Sequence, residues 1–555
     1  MSENNHRQTF NALLEQYYNA WFRYHPEQAV QVGVPGYEEN LRAYKDDEIG
    51  ALISLDEKML SALDELDFEQ LSDDQQVDYS ILYNSVVIEL HELLEHDWRY
   101  SRPQDYVPVE AIHQLLTRPV VNLHAAIKHR LQAIPEYLRG ARTYISQKPQ
   151  QIPPSWLDSA CKQAEAGARY FRNLMSHPQV LKKFENPARL QPVCDDAAAA
   201  MEDFARFLKQ DIGPQASGDY ACGADFFSAL LNDAHFLPVT PDQLHQFGER
   251  MFEETRQQMK ALAVEMQGHD DVNALLASIR GSHPQAGDSL LSAYRERMKA
   301  AYDFVREKQL VSMPENQRLK VLETPEYLRH EIPFAAYEEP TYKDEKQQGY
   351  YYVTPVTVDG QLLEHNWTSI DLTCVHEAFP GHHLQFVTAN RNPHNSLPRL
   401  INASATLYEG WALYCEDLMQ EQGFLDKPEH KLMMLRDRLW RAMRVMLDVE
   451  LHTRGLSIDE AAQRMCTELG FDQHQARADL SWYSQNPTLP MGYATGWALI
   501  RAVRGQLEGL AGFDLKTFHD NILSVGSCAL AMVIKRCYGE EIWQQALRQV
   551  FRSQA

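Results

Sequence analysis

Residues 374–385, with the sequence CVHEAFPGHHLQ, concentrate side chains that can bind a metal and move a proton. His376 and Glu377 are neighbours, and His382 and His383 follow after a short insert. In zinc hydrolases a His-Glu pair begins a helix-borne motif, in which imidazoles bind Zn²⁺ and the adjacent carboxylate polarises the water on the metal. The pKa of such a water falls to about 7, and the carboxylate takes its proton as the water attacks a carbonyl group. The string therefore predicts a zinc site of the hydrolytic kind.

The spacing of the histidines differs from the usual HExxH pattern. Position i+4 after the first histidine is Pro380, and the next imidazoles stand at i+6 and i+7. In a regular helix i+7 returns to nearly the same face about 10.5 Å further along the axis, whereas i+6 lies well off that face. Pro380 removes a helix N–H and Gly381 relaxes the backbone, so we expect a bulge in one helix over about 369–389. The bulge would bring His382 to the place of an i+4 ligand, but the spacing alone leaves His383 as the alternative.

Two later blocks could complete such a site. Glu409 and Glu416 stand at i and i+7 and share one face of a helix predicted over about 403–422. A carboxylate from a downstream helix is the expected third ligand when two histidines hold a catalytic zinc and one position stays open. Glu409 and Glu416 compete for that role, and the other would hold a ligand in place. Tyr493, which lies between Gly492 and Gly496 at a helix start, could donate to the oxyanion of a tetrahedral intermediate.

Other polar residues have two interpretations each. His452 follows Asp448 by four residues on a helix, so the two could pair near the site or form a plain ion pair on the helix surface. Arg501 and Arg504 could bind a substrate carboxylate through two hydrogen bonds each, or could be ordinary solvated charges. The string HELLEH at 91–96 is formally a metal motif as well, but its leucine spacing is typical of a plain amphipathic helix. For residues 376–383 the plain alternative is a histidine-rich core helix without metal.

Helical periodicity dominates the chain around these motifs. The exception is residues 318–358, where RLKVLETP, PFAAYEEP and GYYYVTPVTV are rich in β-branched and aromatic residues and punctuated by proline. This pattern predicts a small sheet with edge strands, either a surface for an extended peptide or a brace for the helices. We predict an N-terminal helical half over 1–310 and a catalytic half over 311–555, which form one integrated unit.

The composition limits which classes of binding partner the protein can have. The chain has 555 residues and a formal net charge of −24, and no basic block occurs, which argues against nucleic acid and anionic membranes as partners. No apolar run approaches the roughly 18 residues that span a bilayer, and the N-terminus lacks the features of a secretory signal. The eight cysteines are scattered without a disulfide-like spacing. We expect a soluble cytoplasmic protein with reduced thiols.

Four blocks together resemble a known bacterial family. HEAFPGHHLQ, LYEGWALYCED, DVELHTRG and GYATGWALIRAVRGQ occur in this order over 376–506. Their order and spacing resemble the domain of unknown function number eight hundred and eighty-five, and the resemblance covers most of the chain. That family is regarded as metallopeptidase-like and related to the gluzincins. The resemblance implies a mainly α fold, with two helical halves flanking a channel and a small sheet near the active site.

The resemblance also implies roles for single residues. Peptidases that look related read HE-x-GH or HE-xx-GH, and this chain reads HE-xxx-GH, so aligning the Gly-His pair selects His382 as second ligand. One Zn²⁺ per chain would be held by His376, His382 and Glu409, with Glu377 as general base and Tyr493 at the oxyanion. The remaining candidates would contact the substrate or hold the ligands: His383, Glu416, His452 and Arg501.

The expected function is a zinc-dependent hydrolase, a metallopeptidase that cleaves short peptides by attack of activated water. A zinc hydrolase of another amide or an ester would use the same ligands. The alternative from a different class is a non-catalytic binding protein that retains the scaffold. The sequence does not choose between end-directed and internal cleavage, and it leaves the oligomeric state open.

Overall fold

Helices make up most of the fold, as the apolar periodicity predicts. The computed structural model describes residues 3–284, 288–325, 329, 332, 334–354 and 365–552. Within these ranges it contains 25 α-helices and a sheet of three strands. The mainly α prediction with one small sheet is therefore confirmed. The chain divides into two compact units, of which the first contains the residues up to Tyr220 and the second most of the residues from Ala221 onward.

The first unit is built from helices whose ends follow the expected local chemistry. For example, Ser72 accepts a hydrogen bond from the backbone of Gln75, whose side chain accepts from the Ser72 N–H, at the start of a long helix. The helices are α1 Glu3–Trp21, α2 Pro26–Val32, α3 Asp46–Asp64, α4 Asp73–Glu95, α5 Trp98–Ser101, α6 Val109–Thr117, α7 Leu123–Ile145, α8 Pro154–Asn173, α9 Pro178–Lys183 and α10 Gln191–Phe207.

The second unit holds the helices that carry the motif residues. They are α11 Ala224–Ala229, α12 Pro241–Gln267, α13 Val272–Arg280, α14 Asp288–Lys308, α15 Trp367–Glu377, α16 His382–Arg391, α17 Leu397–Ile401, α18 Ala405–Glu421, α19 Pro428–Thr453, α20 Ile458–Leu469, α21 Gln473–Gln485, α22 Gly492–Glu508, α23 Leu515–Ile522, α24 Leu530–Tyr538 and α25 Glu540–Val550. The predicted division between residues 310 and 311 lies inside this unit, because α14 packs against α15 and against the first strand of the sheet.

The sheet lies in the region that the β-branched and aromatic pattern predicts. Its strands are β1 Arg318–Glu323, β2 Ala335–Glu338 and β3 Gln348–Val353, in the order β1-β3-β2. β3 is parallel to β1 and antiparallel to β2, with Tyr351 opposite both Val321 and Tyr337. β1 and β2 are thus edge strands, as predicted, whereas the third proline-containing segment supplies β3, which is buried and central. Residues 355–358 of the third predicted segment lie outside the described residues.

The described helices are either too short or too polar to cross a membrane. All eight cysteines are described, and each is a free thiol. The core of the second unit lies around α18, which is buried along nearly its whole length from Ala405 to Met419. A helix that is buried all round places its polar residues in the interior, where each needs a partner. The carboxylates of α18 therefore mark the centre of the site.

Candidate metal site

The helix is interrupted between the first two histidines of the motif. α15 ends at Glu377, Ala378 leaves the helical conformation with φ −114° and ψ −81°, and α16 begins at His382. The predicted bulge within a single helix over 369–389 is therefore wrong, because two separate helices occur here. Pro380 has no N–H to donate, and its peptide bond with Phe379 is cis.

Two contacts fix this turn between α15 and α16. A Cβ atom at Gly381 would collide with the carbonyl oxygen of His376, so only glycine allows the chain to pass so close to the end of α15. The indole N–H of Trp411 in α18 donates to the Pro380 carbonyl at 2.8 Å. The turn is thus held from both sides, and it folds the start of α16 back beside the end of α15.

Three buried donor atoms converge where these helices meet α18. Nε2 of His376 and Nε2 of His382 lie 3.5 and 3.3 Å from Oε2 of Glu409. The imidazole centroids are 4.9 Å apart with nearly perpendicular planes. All three ligand atoms lie within 4.8 Å of one another. Two imidazoles and one carboxylate form the donor set of a catalytic zinc site with an open coordination position.

His383 points away from this group. Nδ1 of His383 shares a hydrogen bond of 3.0 Å with the Tyr337 hydroxyl group in β2. Burial lowers the pKa of His383 to about 3, which keeps the imidazole neutral. Of the two adjacent histidines, the structure therefore brings His382 to the other ligands, and His383 connects α16 to the sheet.

Glu416 contacts the outer nitrogen of the first histidine. Nδ1 of His376 donates to Oε1 of Glu416 at 2.8 Å, and Arg441 lies 4.0 Å from the same oxygen. Because Nδ1 is used in this bond, Nε2 is the ring nitrogen left for a metal, and a carboxylate commonly orients a metal-binding imidazole in this way. Of the two candidate third ligands, Glu409 lies in the group and Glu416 holds His376 in position.

The charges of the group favour a bound cation. Burial disfavours ionisation of Glu409, but His382 and His376 outweigh it and lower the pKa of this carboxyl. Burial likewise works against protonation of His376, yet Glu409 and Glu416 raise its pKa to about 10. Oε2 of Glu409 is buried and accepts no hydrogen bond from the described residues. The donor set therefore fits a divalent metal, which would satisfy this oxygen and both Nε2 atoms.

Glu377 and Tyr493 both lie beside the group. Glu377 is half-buried at the end of α15; burial raises the pKa of its carboxyl, partly offset by His382 and His376. Burial and then the Glu409 carboxylate raise the pKa of the Tyr493 phenol. Both predicted catalytic side chains are therefore within electrostatic reach of the three ligands.

Close packing of α18 and α22 positions Tyr493. The two backbones touch at Gly410 and Gly496, where a Cβ on either glycine would collide with the opposite helix. Glu409 precedes the first of these glycines, and Tyr493 lies one turn before the second. The glycine contact thus sets the distance between a ligand and the phenol, which a larger residue at either position would increase.

The remaining predicted residues lie elsewhere. His452 is fully buried, with Nε2 3.1 Å from the Tyr483 carbonyl and 3.9 Å from Asp448. Asp448 accepts from the backbone N–H groups of Thr488 and Met491, so this pair braces the loop before α22. A surface ion pair is therefore excluded for His452 and Asp448, because both side chains are fully buried.

The two arginines of α22 bind carboxylates of the protein. Arg501 lies 2.7 Å from Asp417 and 3.3 Å from Glu421. Arg504 lies 2.7 Å from Glu421 and 2.6 Å from Glu508. Neither belongs to the buried donor group. The string at 91–96 ends α4 in the first unit, where ligand atoms of His91, Glu95 and His96 also lie within 4.8 Å of one another, but Glu95 is 66% exposed.

Sequence reasoning missed two arginines that flank the phenol. The guanidinium carbons of Arg444 and Arg441 lie 4.5 and 5.7 Å from the ring centroid of Tyr493. Their signal was present: Arg438, Arg441, Arg444, Asp448 and His452 recur every three or four residues along α19. Such a stripe on a helix with buried leucines and methionines indicates a face directed at a polar interior. Tyr337 and Trp411 had no comparable signal, because only the fold brings them to the motif.

Fold and site together define a mainly helical protein with a buried His-His-Glu group beside a three-stranded sheet. The chain belongs to the family described as "Bacterial protein of unknown function (DUF885)", whose model matches residues 26–536. The resemblance of the four sequence blocks to this family is thus confirmed. None of the curated proteins matches the chain.

Two solved structures share the fold. A protein of Shewanella oneidensis, described as a "putative lipoprotein of unknown function", has 21% sequence identity and a TM-score of 0.76, covering 94% of this chain and 98% of its own. A protein of Colwellia psychrerythraea, described as a "putative lipoprotein", has 16% sequence identity and a TM-score of 0.80, covering 99% of this chain and 100% of its own. At these identities the likeness shows a common fold.

Proposed function

We propose that this protein is a zinc-dependent hydrolase, a metallopeptidase that acts on short peptides. The observation that carries the proposal is the convergence of His376 Nε2, His382 Nε2 and Glu409 Oε2 in a buried group. Glu377 follows His376 in the chain and interacts electrostatically with all three side chains. A structural zinc is normally enclosed by four protein ligands, often cysteines, whereas three ligands leave a position for water and substrate. The donor set therefore favours a catalytic metal.

The side chains divide the chemistry among them. Bound Zn²⁺ would supply Lewis acidity, which polarises a carbonyl group and lowers the pKa of water. Glu377 takes the proton of the attacking water and passes it to the leaving nitrogen. Tyr493 donates its O–H to the oxyanion that develops on the scissile carbonyl. Glu416 keeps the His376 imidazole in the orientation that binding requires.

Buried arginines favour a substrate that carries a carboxylate. Arg441 is 9% exposed, and its Nε atom is buried and has no hydrogen-bond partner in the described parts of the chain. A buried guanidinium N–H without a partner destabilises the folded protein, because it has lost its hydrogen bond to water. A bound carboxylate would accept this hydrogen bond and remove the penalty. Its charge also acts on Glu377. The terminal carboxylate of a short peptide is the group that suits this arrangement.

The test combines metal content with turnover. The purified full chain should contain about one equivalent of zinc, cleave members of a library of short peptides, and lose activity to a chelator. Glu377→Gln should retain the zinc and lose turnover, while Glu541→Gln, an exposed control on α25, should behave as the parent protein. Metal without turnover on any library member, or full activity of Glu377→Gln, would refute the proposed mechanism.

We also propose a cytoplasmic location. Eight free thiols, four of them buried, suit a reducing compartment. The two similar solved structures are each described as a "putative lipoprotein", which makes membrane attachment the alternative to exclude. Fractionation of cells that produce the chain at native level should place it in the soluble cytoplasmic fraction, and recovery with the membranes would contradict the proposal.

A further inference from the structure

A cavity lies in the second unit, apart from the proposed metal ligands. Its volume is about 630 Å³, within the range of sites for small molecules. α12, α19, α22 and the end of α25 line it, and none of the lining residues belongs to the His376, His382 and Glu409 group. The cavity therefore has its own chemistry.

Positive charge dominates the lining. Four arginines face the cavity, Arg250, Arg438, Arg501 and Arg552, against the single carboxylate of Glu254. The chain as a whole has a net charge of −24, so this concentration of guanidinium groups is a local reversal of sign. A concave surface lined by one sign of charge focuses the field and attracts ions of the opposite sign.

The protein itself neutralises only part of this charge. Arg438 and Arg501 both lie 2.7 Å from Asp417, so two cations share one carboxylate, and Arg501 is also 3.3 Å from Glu421. Arg250 donates from Nη2 to the Val550 carbonyl at 2.8 Å, which is a neutral acceptor. Its Nη1 atom and Nε of Arg438 are buried and have no hydrogen-bond partner among the described residues. Donors for an anion are therefore already in place.

An apolar surface lies next to the arginines. The indole of Trp497 lies 4.5 Å from the guanidinium carbon of Arg438 and 5.7 Å from that of Arg501. Phe247, Met251 and Val550 also line the cavity. Arginines beside an aromatic face suit a molecule with a charged end and a flat or aliphatic body.

We propose that this cavity is a binding site for a small organic anion that has a phosphate or carboxylate group and an apolar part. Arg250 and Arg438, which have the donors without partners in the described part of the chain, bind the oxyanion. Arg501 and Arg552 supply the surrounding charge, and Trp497 contacts the apolar part. The site does not depend on the metal group, so it goes beyond the proposed hydrolase activity.

Titration calorimetry with three probes tests the proposal. Phenyl phosphate has both the oxyanion and the ring, inorganic phosphate has only the former, and phenol has only the latter. We expect phenyl phosphate to bind more tightly than either, and the affinity to fall as salt increases. Benzoate in place of phenyl phosphate distinguishes a carboxylate from a phosphate preference, and binding of either supports the site.

Variants locate the binding. Arg552→Gln, at an exposed position, and the double variant with Arg250→Gln should each raise the Kd of phenyl phosphate, the double variant by at least about tenfold. Arg548→Gln, an exposed arginine of α25 outside the cavity, is the matched control and should leave the Kd unchanged. Thermal melts of all variants show that they are folded. The proposal would be overturned if neither phenyl phosphate nor benzoate bound, or if phenol bound as tightly as phenyl phosphate. An unchanged Kd of phenyl phosphate in the folded double variant would also overturn it.

Discussion

Nδ1 of His376 donates to Glu416 at 2.8 Å, while Nε2 of the same ring faces Glu409 at 3.5 Å. One imidazole thus connects two carboxylates that stand two turns apart on α18. In the proposed site the outer carboxylate fixes the ring orientation and increases its basicity, and the inner carboxylate would bind the metal. The two glutamates therefore have different roles that substitution can separate.

Replacement of the outer carboxylate should weaken metal binding without abolishing it. Glu416→Gln keeps an acceptor for Nδ1 but loses the negative charge, so we expect a zinc affinity lower by about tenfold. Glu409→Gln removes a ligand and should lower the affinity far more. Competition with a chromogenic chelator measures both, and Glu421→Gln on the same helix is the control. Equal affinities for Glu416→Gln and the parent protein would contradict the role of Glu416.

The two adjacent histidines should behave differently. His382→Ala removes a ligand, so the purified variant should contain little zinc and show no turnover. His383→Ala removes the contact with Tyr337 and should retain about one equivalent of zinc. Metal analysis of both variants after identical purification decides between them. Loss of zinc in His383→Ala with retention in His382→Ala would show that the ligand assignment is wrong.

The phenol of Tyr493 should affect turnover and leave metal content unchanged. Tyr493→Phe keeps the ring between α18 and the α19 arginines but removes the O–H that donates to the oxyanion. We expect kcat to fall by about 10²-fold to 10³-fold, the usual loss for one such donor. Steady-state kinetics on the best peptide of the library measures this. A change in KM alone, with kcat preserved, would argue for a binding role.

The glycine contact between α18 and α22 should be sensitive to a single methyl group. Gly496→Ala places a Cβ against the Thr406 carbonyl, and we expect a loss of about 1–3 kcal/mol in the free energy of unfolding. Gly505→Ala lies on the same helix with open space around its Cβ, and should stabilise the protein by about 0.5–1 kcal/mol. Denaturant unfolding measures both. Equal stabilities would show that the helices separate at little cost.

A buried carboxyl group in the first unit should make stability depend on pH. Asp56 is fully buried, the Tyr17 hydroxyl donates to it at 2.9 Å, and burial together with Glu89 raises its pKa far above the usual range. A raised folded pKa gives stability that is full below the unfolded pKa and is lost as pH rises toward the folded value.

Asp56→Asn removes this titration and keeps the acceptor for Tyr17. Between about pH 5 and about pH 9 the Tm of the parent protein should therefore fall relative to that of the variant. Thermal melts at several pH values give both curves. Curves that stay parallel over this range would mean that Asp56 keeps its ordinary pKa in the folded protein.

The sequence predicted which residues come together better than it predicted the path between them. His376, Glu409 and Tyr493 were selected because their residue types and their glycine neighbours are visible in single blocks. The choice of His382 over His383 came from the resemblance, since helix geometry left both open. The separation of α15 and α16 was missed because a proline inside a helical pattern is compatible with either a bulge or a break.

Tertiary features were the least predictable. Strands β1 to β3 were expected from proline punctuation and aromatic content, which are local signals. In contrast, Tyr337 reaches His383 across 46 positions of sequence, and Trp411 reaches the Pro380 carbonyl across 31. No periodicity encodes such contacts, because they depend on how elements pack. The division of the chain near Tyr220 is of the same kind.

Because of the turn at residues 378–381, the sequence separation of His376 and His382 does not have to match the repeat of a helix. In an uninterrupted helix only separations close to multiples of 3.6 residues present two imidazoles on one side. Here the second imidazole is the first residue of a new helix, and its position depends on the turn and on the Trp411 contact. The separation of the two imidazoles along the chain is therefore set by this turn and not by the helical repeat, so a search restricted to HExxH overlooks chains built in this way.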